Sequence, residues 1–299
     1  MTNKRPWYSW MLLILIISAV TWFILHNFNE ITRYNFRIKW PYLMLSFLFV
    51  NTAYLATVFI WTRLAMSFGL NVPILSAGKA WFLSQLGKYV PGKVTLLLVR
   101  LEAYHGHSKR KITIATGIEY IAMLASGFVM VLVALASSFQ ILPYHIRWFA
   151  GVGTVIFLFL LWPPLLLSVI NLLLKFLKKE QIEEFPPYTL LLRFVGAYLF
   201  AGLLQGMGLY FILNSLLPVD FRYFLMITGA YEVAGLIGIA AVFAPSGIGV
   251  REGVLFLVLP AFIPMPAVII GTIAMRLIAT FTELFLAFVF VVVEKIYIR

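Results

Sequence analysis

Long apolar runs constrain this 299-residue chain more than any other feature of its sequence. A helix needs about 20 consecutive apolar residues to cross a hydrocarbon core of about 30 Å. Six segments meet that length, and they are continuously apolar, which indicates membrane helices and not a transmembrane barrel with alternating strands. They lie at 8–26, 40–66, 112–138, 148–174, 188–216 and 266–293.

The composition indicates the same class. Only 11% of the residues are charged and 63% are hydrophobic, whereas a soluble domain carries about 25% charged residues. The first run is long and aromatic and lacks a small-residue cleavage site, so we read it as a retained span and not a signal peptide. Cysteine is absent, which excludes disulfides and thiolate metal sites. The prediction is one all-α polytopic membrane domain over residues 1–299.

Two further segments, 73–104 and 220–263, are interrupted by glycine and proline. The interruptions are "GKYVPGK" at residues 87–93 and "APSGIGVREG" at residues 244–253. The pieces after them, about 94–104 and 251–262, are too short to cross a membrane. We predict two re-entrant broken-helix hairpins beside about six full transmembrane helices; eight spans, with both broken segments crossing, is the alternative.

The broken segments belong to an internal repeat. Residues 40–138 and 188–293 both read as long helix, short helix, break, short helix and long helix. Aligning Pro91 with Pro245 brings the flanking long helices into approximate register. One span between the units would invert the second relative to the first, as in transporters whose paired interrupted segments form the binding site.

The formal net charge of +12 fits an excess of Lys and Arg on cytoplasmic loops, and no soluble region is large enough to bind nucleic acid. With both termini in the cytoplasm, the inner loops carry most of these cations. They are Lys4, Arg5, Arg63, Lys79, Lys109, Arg110, Lys111, Lys175, Lys178, Lys179, Lys295 and Arg299. The outer loops carry Arg33, Arg37, Lys39, Arg147 and Arg222.

The breaks are the candidate binding site. Non-helical backbone at membrane depth is tolerated only beside protein or a watery cavity, and each short helix directs its positive N-terminal end into that space. Cations there suit a phosphate or another anionic head group. The candidates are Lys88, Pro91, Gly92, Lys93 and Arg100 at the first break, and Pro245, Gly247, Gly249, Arg251 and Glu252 at the second.

The charged residues Lys88, Lys93, Arg251 and Glu252 also have a simpler interpretation. Lys88 and Lys93 could extend to the membrane surface, and Arg251 with Glu252 could form a structural ion pair.

Four more charges, at Glu119, Glu232, Arg276 and Glu283, lie inside apolar runs, where charge indicates function by default. We expect Arg276 to meet Glu232 or Glu119 from another helix. Such pairs either balance charge in a transport path or fix helix packing. Proton coupling through Glu119 or Glu232 is a further role that the spacing does not require.

No enzyme motif is present. The sequence has no P-loop, no HExxH, no GxSxG and no acidic cluster for a divalent metal. We therefore expect no catalytic residue, no cofactor and no metal site. The pair His105 and His107 lacks neighbouring ligands and fits a loop near anionic lipid head groups.

Four motifs carry a family resemblance: "LGKYVPGKVTLLLVRLEAY", "ATGIEYIAML", "APSGIGVREGVL" and "AMRLIATFTELFLAF". From about residue 40 to 293 the chain resembles the membrane domain of bacterial lysylphosphatidylglycerol synthases and its stand-alone, flippase-like relatives. The resemblance implies movement of a lipid between leaflets of the inner (cytoplasmic) membrane. It carries over Pro245, Gly247, Gly249, Arg251 and Glu252, and it matches Arg276 to the arginine of the last long helix.

The chain also departs from that family. The aminoacyl-transferase domain is missing, so we do not expect a synthase. Glu119 is retained, but Tyr120 and Met123 stand where charges are expected, which argues against the same lysylated lipid. The expectation is a flippase-like protein for a phospholipid or polyprenyl-phosphate-type lipid, passive or ion-coupled. The alternative is a non-transporting membrane partner of an enzyme that modifies lipids or lipid-linked sugars; a membrane-embedded transferase is disfavoured.

Overall fold

A computed structural model describes residues 38–87, 94–104, 106–137, 144–176, 178, 181, 185–241 and 244–297. Every regular element within these ranges is helical, which confirms the all-α prediction. The helices are α1 Trp40–Ser67, α2 Ile74–Leu86, α3 Val94–Ala103, α4 Lys109–Ser137, α5 Tyr144–Leu160, α6 Pro163–Phe176, α7 Tyr188–Leu216, α8 Phe224–Ala240, α9 Val250–Val258 and α10 Met265–Tyr297. Short 3-10 turns lie at Phe221–Tyr223, Pro245–Gly247 and Leu259–Ala261.

Five of the described helices are long and apolar enough to cross a membrane. They are α1, α4, α7, α10, and α8 together with the 3-10 turn that precedes it. This finding confirms a polytopic membrane protein. Four of the five begin and end within a few residues of the predicted spans, because the length of an apolar run is a local property of the sequence. The predicted first span, 8–26, lies outside the described residues.

The predicted span at 148–174 is broken in the structure. The structure forms two helices there, α5 and α6, which are bent by 68° relative to each other. Pro163 and Pro164 open α6, and proline lacks the backbone N–H and disfavours helical backbone in the residue before it. Counted as one bent span, the pair raises the number of described spans to six.

The second broken segment has the predicted interrupted form, and the interruption of the first, at 88–93, lies outside the described residues. Helices α2 and α3 contain 13 and 10 residues, and α9 contains 9, so each is too short to cross alone. The first arm of the second segment is longer, because Phe221–Ala240 spans 20 residues, or about 30 Å at 1.5 Å per residue. Re-entrant hairpins and the eight-span alternative both stay predictions.

Helix contacts occur in matched pairs that relate residues 40–138 to residues 188–293. Helix α4 packs on α8 as α10 packs on α2, and α4 packs on α7 as α10 packs on α1. In the same way, α7 contacts α8 as α1 contacts α2, and α9 contacts α10 as α3 contacts α4. Helices α1 and α7 pack directly on each other. Exchanging the two units reproduces the contact pattern; the inverted orientation stays a prediction.

Glycines let the helices of the two units approach closely. Gly208 on α7 faces Val50 on α1, and a Cβ atom added at Gly208 would lie 2.5 Å from Val50 Cγ2. In the same way, the Phe290 ring on α10 packs against Gly78 on α2, where a Cβ atom would collide with it. Small residues at such crossings are the usual means of helix packing in membranes, where no hydrophobic force drives helices together.

Candidate functional site

A central cavity of about 200 Å³ lies between the two units. It is lined by Tyr54 and Trp81 from the first unit and by Tyr231 and Gly238 from the second, among others. Its charged lining residues are Glu119, Arg251, Glu252, Arg276 and Glu283. The structure thus brings together four predicted site residues that are separated by up to 157 positions in the sequence, since 276 − 119 = 157.

The second break forms a tight loop at the edge of this cavity. Pro245 and Gly247 bound its 3-10 turn, and Ser246 between them has φ 53°. Gly249 precedes α9 with φ 80°, a backbone conformation that glycine adopts without steric cost. The Gly249 N–H donates to Oε2 of Glu252 at 2.6 Å, so a carboxylate in the first turn of α9 fixes the start of that helix.

Arg276 joins this loop to the last long helix. Its Nη1 donates to Oε1 of Glu252 at 3.3 Å, and its Nη2 donates to the Ser246 carbonyl at 3.3 Å. Arg276 therefore pairs with Glu252. The expectation that it meets Glu232 or Glu119 is wrong. The reason is that α9 packs directly against α10, whereas Glu232 faces α4 and α7.

Arg251 lies across two glycines, and no described carboxylate pairs with it. A Cβ atom at Gly238 would lie 2.7 Å from Cγ and from Nε of Arg251, and one at Gly247 would lie 3.2 Å from the same two atoms. The Nε atom is buried without a hydrogen bond. Among the described residues no carboxylate forms an ion pair with Arg251, so the predicted Arg251–Glu252 pair is absent there. A buried cation without a partner is costly.

Arg100 is fully buried and does not line the cavity. Its Nη1 forms an ion pair with Glu119 and donates to Thr116 Oγ1 at 3.3 Å. Its Nε and Nη2 lie 3.4 Å from Ser84 Oγ, and its guanidinium stacks 3.9 Å from the centre of the Trp61 ring. The predicted contact of Arg100 with lipid phosphate is not available in this arrangement, because these internal contacts occupy the guanidinium.

Glu119 is held by donors from three other helices. Besides the ion pair with Arg100 on α3, its Oε1 accepts from Trp81 Nε1 on α2 at 2.9 Å and from the Tyr198 hydroxyl on α7 at 3.4 Å. The side chain is almost fully buried. These bonds give Glu119 a structural role at the cavity wall.

Glu232 lies beside the cavity in a notch formed by two glycines. A Cβ atom at Gly202 on α7 would lie 2.6 Å from Glu232 Oε1, and one at Gly127 on α4 would lie 3.4 Å from Oε2. The side chain is partly buried and has no hydrogen bond or ion pair with any described residue. Lys88, Pro91, Gly92 and Lys93 lie outside the described residues, so the predicted contribution of the first break stays a prediction.

Several lining residues were missed by sequence reasoning. The Tyr54 hydroxyl donates to Glu283 Oε1 at 2.6 Å across α1 and α10, and Trp81 reaches Glu119 from 38 positions away. No local pattern indicates these contacts. Gly238 did carry a signal, since it is a glycine within an apolar helix seven residues before Pro245.

Within the ranges that the structure describes, no group of three or more His, Cys, Asp or Glu side chains could hold a metal ion. No family model matches this chain, and no curated protein matches it. The resemblance to lysylphosphatidylglycerol synthase membrane domains therefore stays an expectation from the sequence motifs. What the geometry offers chemically is a small cavity at the junction of two units, bordered by an arginine that forms no ion pair with any described residue.

Proposed function

We propose that this chain is a flippase-like membrane protein that binds a phospholipid or lipid-linked phosphate in the central cavity and moves it between leaflets. The observation that carries the proposal is the guanidinium of Arg251, which borders the cavity and forms no ion pair with any residue in the described ranges. A lipid phosphate would supply the missing charge through the paired N–H donors of arginine.

The contacts of Arg276 and the position of Arg251 on α9 support an anion at Arg251. The other lining arginine, Arg276, is already engaged by Glu252 and the Ser246 carbonyl, so Arg251 is the better ligand for an incoming phosphate. Arg251 is also in the first turn of α9, where backbone N–H groups and the helix dipole favour negative charge. The guanidinium of Arg251 and the N-terminus of α9 therefore favour an anion at the same end of the cavity.

The cavity size supports a small head group. Its volume of about 200 Å³ is below the range of about 300–1,000 Å³ typical for sites that hold drug-sized ligands. A phosphate with a short polar group matches this space better than a lysylated or sugar-bearing group, and the acyl chains would remain in the bilayer. Tyr120 and Met123 line the same cavity, in place of the charges that the lysylated lipid would suggest.

We further propose that the protein lies in the inner membrane with both termini in the cytoplasm, as the distribution of Lys and Arg indicates. Transport would be passive or ion-coupled, since the sequence carries no ATPase motif.

A non-transporting partner subunit is the second candidate. The observation that favours it is that ion pairs fasten both short helices, Arg100 to Glu119 and Glu252 to Arg276. If those pairs never open, the cavity can hold a lipid without releasing it to the other leaflet. Such a protein would retain a specific lipid and co-purify with an enzyme.

Leaflet exchange in proteoliposomes tests the proposal. Purified protein is reconstituted with a fluorescent phospholipid, and an impermeant reductant quenches the outer leaflet. Arg251→Ala should slow exchange about 10- to 100-fold, because a charge-assisted hydrogen bond contributes about 1.5–3 kcal/mol. Arg222→Ala, at an arginine whose side chain is 70% exposed, is the control.

Unchanged exchange in Arg251→Ala would remove Arg251 from the mechanism. Native mass spectrometry of the same preparations separates the two candidates. Retention of one enriched lipid without any exchange by the wild-type protein would favour the partner subunit.

A further inference from the structure

We propose that Glu232 is a proton-binding site, and that proton binding at Glu232 and anion binding at Arg251 strengthen each other. The inference rests on the proposed function, because it names the ion that would accompany the lipid phosphate. The sequence left Glu119 and Glu232 as equal candidates for proton coupling; their contacts separate them.

Glu119 is unsuited to exchange protons. Arg100, Trp81 and Tyr198 all donate to its two oxygens, and its side chain is almost fully buried. Protonating it would break an ion pair inside the protein and leave the Arg100 guanidinium uncompensated, which is strongly unfavourable. Glu119 therefore stays a carboxylate that holds helices together.

Glu232 has the opposite surroundings. It is the twelfth residue of the 20-residue segment Phe221–Ala240, so it lies near the middle of a helix long enough to cross the membrane. Its carboxyl group faces Gly127 and Gly202, which offer no side-chain donor. A charge at that depth is costly without a partner, and a proton removes the charge. Its side chain is partly exposed, unlike that of Glu119.

Among the residues that the structure describes, Arg251 is the charged group that acts on this carboxyl. From α4 and α7 the facing residues are the two glycines, and from α9 the guanidinium of Arg251 interacts with it electrostatically. Arg251 lies against Gly238, which is six residues after Glu232 and about 9 Å farther along the axis of α8. The neighbouring Tyr231 lines the cavity.

This arrangement links the two sites. With the cavity empty, the charge of Arg251 favours the ionised form of Glu232. An anion bound to Arg251 offsets that charge, so the carboxyl then binds a proton more readily. By reciprocity, a proton on Glu232 strengthens anion binding by the same factor. One proton taken from solution with each monovalent anion leaves the net charge of the loaded cavity unchanged, so a proton gradient could drive lipid movement.

Titration calorimetry with dimethyl phosphate tests the linkage. This phosphodiester carries one negative charge and mimics a lipid phosphate without titrating near neutral pH. Binding to the purified full chain is measured between about pH 5 and 8, in pairs of buffers with different ionisation heats, which yields the number of protons taken up. Wild-type protein should take up as much as one proton per anion, and its affinity should rise about 5- to 150-fold toward low pH.

Glu232→Gln, which mimics the protonated form, should bind with the low-pH affinity at every pH and take up no proton. Glu232→Asp should restore proton uptake, which a purely structural role would not predict. Asp220→Asn, an exposed carboxylate outside the membrane helices, should behave as wild type. Proton uptake by Glu232→Gln equal to wild type would overturn the inference.

Infrared spectroscopy tests the proton site without any ligand. The C=O stretching band of a protonated carboxyl group should grow in the wild-type protein as the pH falls from about 8 to about 5, should be lost in Glu232→Gln and should be unchanged in Asp220→Asn. An unchanged band refutes proton binding at Glu232 even if lipid exchange is observed. A lost band with no lipid exchange supports the proton site while contradicting the proposed function.

Discussion

Arg276 on α10 pairs with Glu252 on α9 at 3.3 Å, and this ion pair has a counterpart of reversed polarity in the other unit. There the arginine, Arg100, is on the short helix α3 and the glutamate, Glu119, is on the long helix α4. In both units, one arginine–glutamate pair fastens the short helix after a break to the long helix that follows it.

Breaking the first pair should destabilise the protein strongly. Arg100→Ala leaves the buried Glu119 carboxylate without its cation, and we expect a loss of about 3–5 kcal/mol in the free energy of unfolding. Chemical denaturation in detergent, followed by circular dichroism, measures it. Lys79→Ala is the control, because the Lys79–Glu294 pair is more exposed and should contribute less than about 1 kcal/mol. Equal losses in the two variants would contradict a locking role for Arg100.

The Arg276–Glu252 pair and the loop at Ser246 should stabilise the fold together. Arg276→Ala removes the bonds to both Glu252 and the Ser246 carbonyl, so we expect a loss of about 2–4 kcal/mol in unfolding free energy. Glu252→Gln should lose less, because its amide oxygen can still accept from the Gly249 N–H. A double-mutant cycle should yield a coupling of about 0.5–3 kcal/mol. Strictly additive losses would show that the two side chains act independently.

The position of Arg251 depends on Gly238. Gly238→Ala introduces a Cβ atom 2.7 Å from Arg251 Cγ and Nε, so the arginine must move and lipid exchange should fall about tenfold or more. Gly235→Ala is the matched control on the same helix, since a Cβ there meets no atom within 4 Å. Lipid exchange rates in proteoliposomes, measured after both variants are shown to be folded, test whether Gly238→Ala slows exchange more than Gly235→Ala does. Wild-type exchange in Gly238→Ala would mean that Arg251 works from another position.

The backbone at the second break should tolerate only glycine at residue 249. Gly249→Ala places a side chain at φ 80°, which we expect to cost about 1–2 kcal/mol. Gly253→Ala, in the helix that follows and with open space around its Cβ, should instead stabilise by about 0.5–1 kcal/mol. Thermal unfolding of both variants checks the opposite signs. A stabilised Gly249→Ala would show that the loop adopts a different backbone in the membrane.

Sequence and structure agree where the evidence is local. Span 188–216 coincides with α7, and the second break separates α8 from α9 as predicted, because glycine and proline act within a turn of where they stand. The bend between α5 and α6 was also within reach, since Pro163 and Pro164 are adjacent in the sequence. Their effect was underestimated in an otherwise continuous apolar run.

The amino-acid sequence by itself determined that this is an all-helical membrane protein with interrupted helices and intramembrane charges. Run length, proline and glycine depend only on neighbouring residues. The tertiary structure alone decided which polar side chains meet: Arg276 pairs with Glu252 across 24 positions, and Trp81 donates a hydrogen bond to Glu119 across 38. It also left Arg251 facing a cavity and Glu232 facing glycines. Helix packing sets those distances, and no local pattern records which face of one helix meets another.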